Sequence, residues 1–218
     1  MKIFLQRYGI YLSTTTIHKY MNKDLNLSAI VMRKKPGYKS CKKHKIFDNL
    51  LKQKFNVDEK NKIWCTDFTY MRQPNGKFRY NCTIMDLFDR SAIASVNSDY
   101  INTELAIETL TEALKKEKPN NGILLHSDQG VQYTSWEFVN FCKDNGVIQS
   151  MSKAGCPYDN APMERFYNTF KNCFYYRYTF ESVEQLDEMT KQYINWYNYV
   201  RPHSTNNYMT PMEFRYRA

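Results

Sequence analysis

Glycine and proline are scarce, seven of each in 218 residues. With 42% hydrophobic residues and no internal repeat or low-complexity stretch, that scarcity predicts a globular chain with one good-sized core and a small appendage. No run of 18 apolar residues occurs, which excludes a transmembrane helix. The opening residues Met1-Lys2-Ile3-Phe4-Leu5-Gln6-Arg7 hold too short an apolar stretch for a signal peptide. A cytoplasmic location without membrane contact is therefore expected. Histidine is rare, with only His18, His44, His126 and His203, and the six cysteines include no Cys-x-x-Cys pair. Ordinary zinc modules are thereby excluded. The cysteines at 41, 65, 82, 142, 156 and 173 read as free, mostly buried thiols in a reducing compartment.

Acid is also in short supply, 22 Asp and Glu against 31 Lys and Arg, for a net charge of +9. Such a balance suggests an anionic polymer as partner. The distribution sharpens it. Arg33, Lys34, Lys35, Lys39, Lys42, Lys43 and Lys45 occur without one acid among residues 33–45. That run is either a solvated linker or an arm that tracks DNA, and the missing acids favour the arm, with Lys42 and Lys43 as DNA-binding candidates.

Local signals divide the chain into four parts. Residues 1–35 predict a partial helix-turn-helix-like segment: a short helix, a turn at Tyr8-Gly9-Ile10, and a helix from Thr14 to Asn22 capped by Ser13, with Ile17, Tyr20 and Met21 on its apolar face. So short a first helix is not expected to fold alone. Residues 36–58 predict a basic linker and a helix near 47–55. Residues 59–180 predict a core: strands at 63–71, 78–85 and 92–96 in an antiparallel meander turned at Pro74-Asn75-Gly76, a helix at 103–116, a strand at 123–125, a helix capped by Thr134 and Glu137, a strand at 147–150, and a long helix at 160–177. Residues 181–218 predict a last helix, capped by Ser182 and Gln185, and a tail packed on the core. The order β-β-β-α-β-α-β-α is that of an α/β fold with a mixed five-stranded sheet flanked by helices.

Three acids stand out in that order. Asp67 falls on the first strand, Asp128 just past the fourth, and Glu164 in the first turn of the helix after the fifth. Residues 68–127 make a gap of 60 and residues 129–163 a gap of 35. Singly, each acid has an ordinary explanation: a strand edge, a turn before Gly130, a complement to a helix dipole. Jointly, on neighbouring strands, they would meet at one end of the sheet. Carboxylates about 4 Å apart repel by roughly 4 kcal/mol per pair at an effective dielectric near 20. Such a cluster calls for cations, and oxygen-only ligands favour Mg²⁺ or Mn²⁺. Two such ions are a standard means of attacking a phosphodiester in line.

The surrounding motifs carry a resemblance. They are Trp64-x-Thr66-Asp67-x-Thr69-Tyr70, Asp86-Leu87-Phe88-x-Arg90, His126-Ser127-Asp128-Gln129-Gly130-x-Gln132-Tyr133, Ser150-Met151-Ser152, Pro157-Tyr158-Asp159-Asn160-Ala161-x-x-Glu164, Tyr197-Asn198-x-x-Arg201-Pro202-His203 and Thr210-Pro211. Over about residues 60–215 the chain resembles bacterial insertion-sequence transposases with a retroviral-integrase-like catalytic core, nearest the second-frame proteins of the insertion-sequence-three family. The resemblance implies an RNase H-like fold and Asp-Asp-35-Glu catalysis. It makes Asp67, Asp128 and Glu164 the catalytic residues and the ligands of two Mg²⁺ or Mn²⁺ ions, which cut and rejoin DNA during transposition. It also implies that Lys171, seven residues after Glu164 and on the same helix face, contacts the DNA end.

Lys153 in the loop at residues 152–157, and Arg201 and His203 after the last predicted helix, are further DNA-binding candidates. Asp86 reads as a turn residue, Asp159 and Asn160 as caps of the catalytic helix, and His126 as a packing or positioning residue. The implied partners are DNA, as terminal inverted repeats and as target, a first-frame helix-turn-helix protein joined by ribosomal frameshifting, and further copies on DNA in a bacterial nucleoid.

Asn206-Asn207 replace a usual Leu-Gly, which predicts looser C-terminal packing, and Cys156 replaces a usual Asn. The short N-terminal segment leaves a second reading open, a truncated remnant that binds DNA without transposing. A stand-alone nuclease for RNA–DNA hybrids fits the spacing and the tail less well. A retroelement integrase is disfavoured by the lack of a His-His-Cys-Cys module.

Overall fold

The computed structural model describes residues 1–27, 45–73, 75–120 and 122–217. Lys42, Lys43 and nearly all of the basic run lie outside them. At the N-terminus α1 (Lys2–Arg7) turns through Gly9, at φ +74°, into α2 (Thr14–Lys19), which continues as a π-helical turn over Tyr20–Asp24. Ser13 caps α2 as expected, its hydroxyl accepting from the Thr16 N–H at 3.0 Å. Of the predicted apolar face only Ile17 is buried.

The β-branched and aromatic runs become β1 (Ile63–Arg72), β2 (Phe78–Asp86) and β3 (Ala92–Ser98), paired antiparallel in sequence order. After α3 (Thr103–Glu117) come β4 (Ile123–Ser127), the short α4 (Val131–Thr134), α5 (Trp136–Asp144) and β5 (Val147–Met151). β4 pairs parallel with β1 and β5 parallel with β4, so the sheet order is β3-β2-β1-β4-β5. α6 (Ala161–Cys173), α7 (Val183–Tyr199) and α8 (Pro211–Arg217) complete the chain. This is the RNase H-like mixed sheet expected.

Strand alternation gives the sheet two apolar faces. Trp64, Ile84, Ile93 and Leu125 join Leu110 of α3 and Phe138 of α5 on one face. Cys65, Met71 and Met85 join Met163, Phe166 and Phe170 of α6 and Leu186 and Tyr193 of α7 on the other. Each such side chain contributes roughly 1.5–3 kcal/mol by leaving water. Edge-to-face rings, such as Phe170 on Tyr193 at 5.1 Å and 89°, fix the helix pair against the sheet.

Four local expectations are corrected. Residues 47–55 are not helical. They form a strap whose Leu50 N–H donates to Ser150 Oγ at 2.9 Å, and Lys52 and Gln53 at φ +47° and +59° break any helix. Ser135, not Thr134, caps α5, because the Thr134 hydroxyl is directed to the Val131 carbonyl. α6 stops at Cys173, where Phe174 leaves helical geometry at φ −127° and ψ −76°. α7 is not the last helix, since α8 follows it.

Candidate active site

The parallel pairing of β1 with β4 places Cys65 opposite His126. Two residues further along each chain stand Asp67 and Asp128, and alternation keeps Asp67 on the face that packs α6. Asp67 is half-buried and accepts the Phe68 N–H at 2.8 Å. Asp128 is exposed and accepts the Gly130 N–H at 2.9 Å. α6 is tied to β1 at this same level. Asn160 Nδ2 donates to the Thr66 carbonyl at 3.1 Å, and the Tyr167 hydroxyl donates to the Asp67 carbonyl at 2.9 Å. Glu164 lies between these two tethers, exposed in the first turn of α6. The fold thus brings the three acids to one end of the central strand pair.

The buried Tyr133 phenol reports on two of them. Burial above all, then Cys82, Asp67 and Asp128, push it well above the usual phenol range, so both carboxylates act on one hydroxyl. That hydroxyl lies 3.0 Å from Thr66 Oγ1, beneath the site. The three acids offer oxygen donors only, the chemistry that suits Mg²⁺ or Mn²⁺. Among the described residues no three His, Cys, Asp or Glu side chains are gathered closely enough to hold a metal ion. Donor type and backbone placement fit such an ion, while the side chains are not drawn into one ligand set.

The supporting residues are polar and buried. His126 is fully buried between Ser150 Oγ at 2.9 Å and Ser152 Oγ at 3.1 Å, and burial pushes its pKa down to about 4. It holds the ends of β4 and β5 together as a neutral ring, the positioning role expected. Asp159 and Asn160 were expected to cap α6 but neither side chain does so. Asp159 accepts the Lys153 N–H at 3.0 Å and Gln53 Nε2 at 2.8 Å, while Asn160 is directed to Thr66. Asp86 is fully buried and structural, accepting N–H groups of Phe88 and Asn61 and the Arg215 guanidinium.

Two models described as integrase core domain match the sequence, one over residues 57–157 and one over 145–211. A transposase-like protein of Haemophilus influenzae is 35% identical over 173 residues, 78% of each chain. The chain belongs to the insertion-sequence transposases with an integrase core. The transposase for insertion sequence element IS904 of Lactococcus lactis is 35% identical over 167 residues, 76% of this chain and 66% of that protein. The transposase InsF for insertion sequence IS3A of Escherichia coli is 33% identical over 171 residues, 78% of this chain and 59% of that protein. The chain therefore spans less than two thirds of the length of these two transposases. Among solved structures, a simian T-cell lymphotropic virus intasome in complex with PP2A regulatory subunit B56 gamma superposes with a TM-score of 0.64 at 17% identity, covering 98% of this chain and 70% of that one. The dimeric form of the HTLV-2 integrase catalytic core domain in complex with magnesium gives 0.58 at 16% identity, covering 72% and 97%. At such identities the likeness is one of fold.

The basic candidates of this transposase core are scattered. Lys171 is buried on α6, its ammonium 4.2 Å from the centre of the Tyr70 ring. Lys153 is exposed on the loop before α6. Arg201 lies over the Tyr197 ring at 5.6 Å, and Arg201 and His203 line a cleft of about 470 Å³ beside α6. Sequence reasoning gave no role to Arg90, Arg165, Tyr133 or Arg215, and read Tyr167 only as part of the apolar stripe of the long helix. Arg90 stood within a quoted motif, but Phe55, Arg165 and Arg201, its neighbours in the cleft, lie at least 35 residues away in the chain. Among the described residues no helix is long and apolar enough to cross a membrane.

Proposed function

We propose that this chain is the catalytic part of a DNA transposase that cuts and joins phosphodiesters, with Asp67, Asp128 and Glu164 holding two divalent cations, Mg²⁺ or Mn²⁺. When bound, such ions activate the attacking hydroxyl and stabilise the leaving 3′-oxygen. The chain's own residues bind and orient. Asn160 and Tyr167 hold α6 against β1, and Glu164 lies between them on the helix. His126, with its pKa near 4, stays neutral and keeps the β4 end in place without storing a proton. Lys153, Lys171, Arg201, His203 and the basic run containing Lys42 and Lys43 hold the DNA backbone. The lysines and Arg201 contribute charge rather than sequence, and His203 a neutral ring, so binding weakens steeply with salt. Terminal inverted repeats and target DNA are the substrates, read with a first-frame helix-turn-helix partner joined by frameshifting, in a multimer on DNA.

One observation carries this reading: the β1–β4 pairing that ends at Cys65 and His126 and the α6 tethers to the Thr66 and Asp67 carbonyls meet at one level of the sheet. Its test is cleavage and joining of labelled DNA carrying the inverted ends from the chain's own genomic flanks, with Mn²⁺. Asp128→Asn is expected to lose more than the roughly 100-fold that removal of an outer-shell partner costs, while still binding DNA. In parallel, Mn²⁺ is expected to raise the melting temperature of wild type and not of the variant. Equal cleavage by the variant sinks the assignment. Binding without cleavage by wild type, alone and fused to the upstream frame, identifies a remnant instead.

A further inference from the structure

The cleft beside α6 carries an unbalanced charge. Arg90, Arg165, Arg201 and His203 line it with the hydroxyl residues Ser204 and Thr205, and no Asp or Glu is among its described lining residues. Arg90 is 8% exposed. Its Nη2 donates to the Phe55 carbonyl at 2.7 Å, but its buried Nη1 has no hydrogen-bond partner. An unsatisfied charged N–H is costly, and native structures seldom keep one without a reason. The acids nearest to it, Asp86 and Asp89, are bound by Arg215. His203 shows that the guanidinium groups converge. Burial, then Arg201, Arg90 and Arg165, push its pKa down to about 4, and no acid offsets them. Its Nδ1 is also buried without a partner.

Three convergent cations, one of them with an orphaned donor, call for an anion with several oxygen acceptors. A guanidinium fork matches phosphate in geometry as well as charge. The position of the cleft names the carrier. Arg165 directly follows Glu164 on α6, and successive helical residues point about 100° apart. The cleft shares this turn of α6 with Glu164 but opens on another face of the helix, the one bearing Ala161, Arg165 and Thr169. We propose that this cleft seats one backbone phosphate of the DNA bound at this turn of α6, with Arg90 at its floor and Arg165 and Arg201 at its sides. The proposal rests on the transposase reading and adds a positioning site to it.

The test is the salt dependence of DNA binding by the full chain, measured without metal by fluorescence anisotropy on duplex carrying the inverted ends. Neutralising a contact to one phosphate lowers the slope of log K against log salt by roughly 0.9. Because one phosphate is shared, Arg165→Gln, Arg201→Gln and the double variant are each expected to lose about that one increment. Melting curves of all three establish that they fold. Wild-type slopes in every variant overturn the proposal. A double variant that loses roughly twice the increment also overturns it, since two separate phosphates are then touched. Inorganic phosphate that raises the melting temperature of wild type but not of the double variant, with DNA slopes unchanged, overturns the DNA assignment and leaves a site for free phosphate. Absence of DNA binding by wild type is a failure of the transposase reading, distinct from each of these.

Discussion

Gly130 shows how much of the site one missing methyl group decides. A Cβ there would meet Asp128 Oδ1 at 2.9 Å and Gln132 Oε1 at 3.1 Å. Both atoms are the far ends of side chains, so a Gly130→Ala chain can fold by moving them. The cost falls on the direction of the Asp128 carboxylate, which now folds back on the Gly130 N–H. Gly130→Ala is expected to melt close to wild type and to cleave roughly 10- to 100-fold more slowly, the scale of an error near 1 Å in a reacting group. An unchanged cleavage rate in a folded variant would mean that this carboxylate does not need its place. The sequence displayed the glycine within His126-Ser127-Asp128-Gln129-Gly130, yet its reason is a close approach that only coordinates reveal. Asp128 itself was readable, because an acid one residue past a short buried strand is a local pattern.

At the scale of elements, the strands and the helix order were readable because long β-branched runs and strong turn signals are local. The errors lie where distant contacts decide. Residues 47–55 carry helical spacing, but bonds from Leu50 and Leu51 to Ser150 hold them as a strap. α8 was missed although its start is written in Thr210-Pro211-Met212-Glu213. Glu213 N–H donates to Thr210 Oγ1 at 3.1 Å and Thr210 N–H to Glu213 Oε2 at 2.7 Å, a capping box with proline at its first turn. The expectation of looser packing at Asn206-Asn207 meets a mixed outcome. Asn206 is buried and donates to the Asp89 carbonyl at 2.6 Å, its Oδ1 lacks a partner, and Asn207 takes the left-handed φ of +51°.

The clasp that anchors α8 is Arg215, 3% exposed, which pairs with Asp86 at 2.9 Å and with Asp89 and Glu117. Removing one partner of a buried ionic group strands the others. Arg215→Met is expected to cost about 3–5 kcal/mol in urea unfolding. A loss under about 1 kcal/mol would show that N–H groups of Asn61, Phe88 and Ser91 alone satisfy the two aspartates.

For the whole molecule, one sheet separates two cores, and the backbone positions of Asp67, Asp128 and Glu164 lie where its central strands meet α6. That convergence was readable from element order plus the assumption that β1 and β4 are neighbours. The depth of the supporting layer was not, because His126, Tyr133 and Tyr167 gain their partners from strands and helices far apart in the chain. This burial has a consequence for pH. His126 and His203 are both pushed down to about 4, chiefly by desolvation and, for His203, then by the three arginines. In the unfolded chain an imidazole titrates near 6.5. Between these values the unfolded state binds more protons, so stability must rise with pH. The contribution is complete above about pH 6.5 and is lost as pH falls toward 4. Urea midpoints of wild type are therefore expected to drop from pH 7.5 to pH 5, and those of His203→Gln to drop less steeply. Parallel slopes for the two proteins would show that His203 titrates in the folded state as it does in the unfolded one, and that the arginine-lined cleft does not hold it neutral.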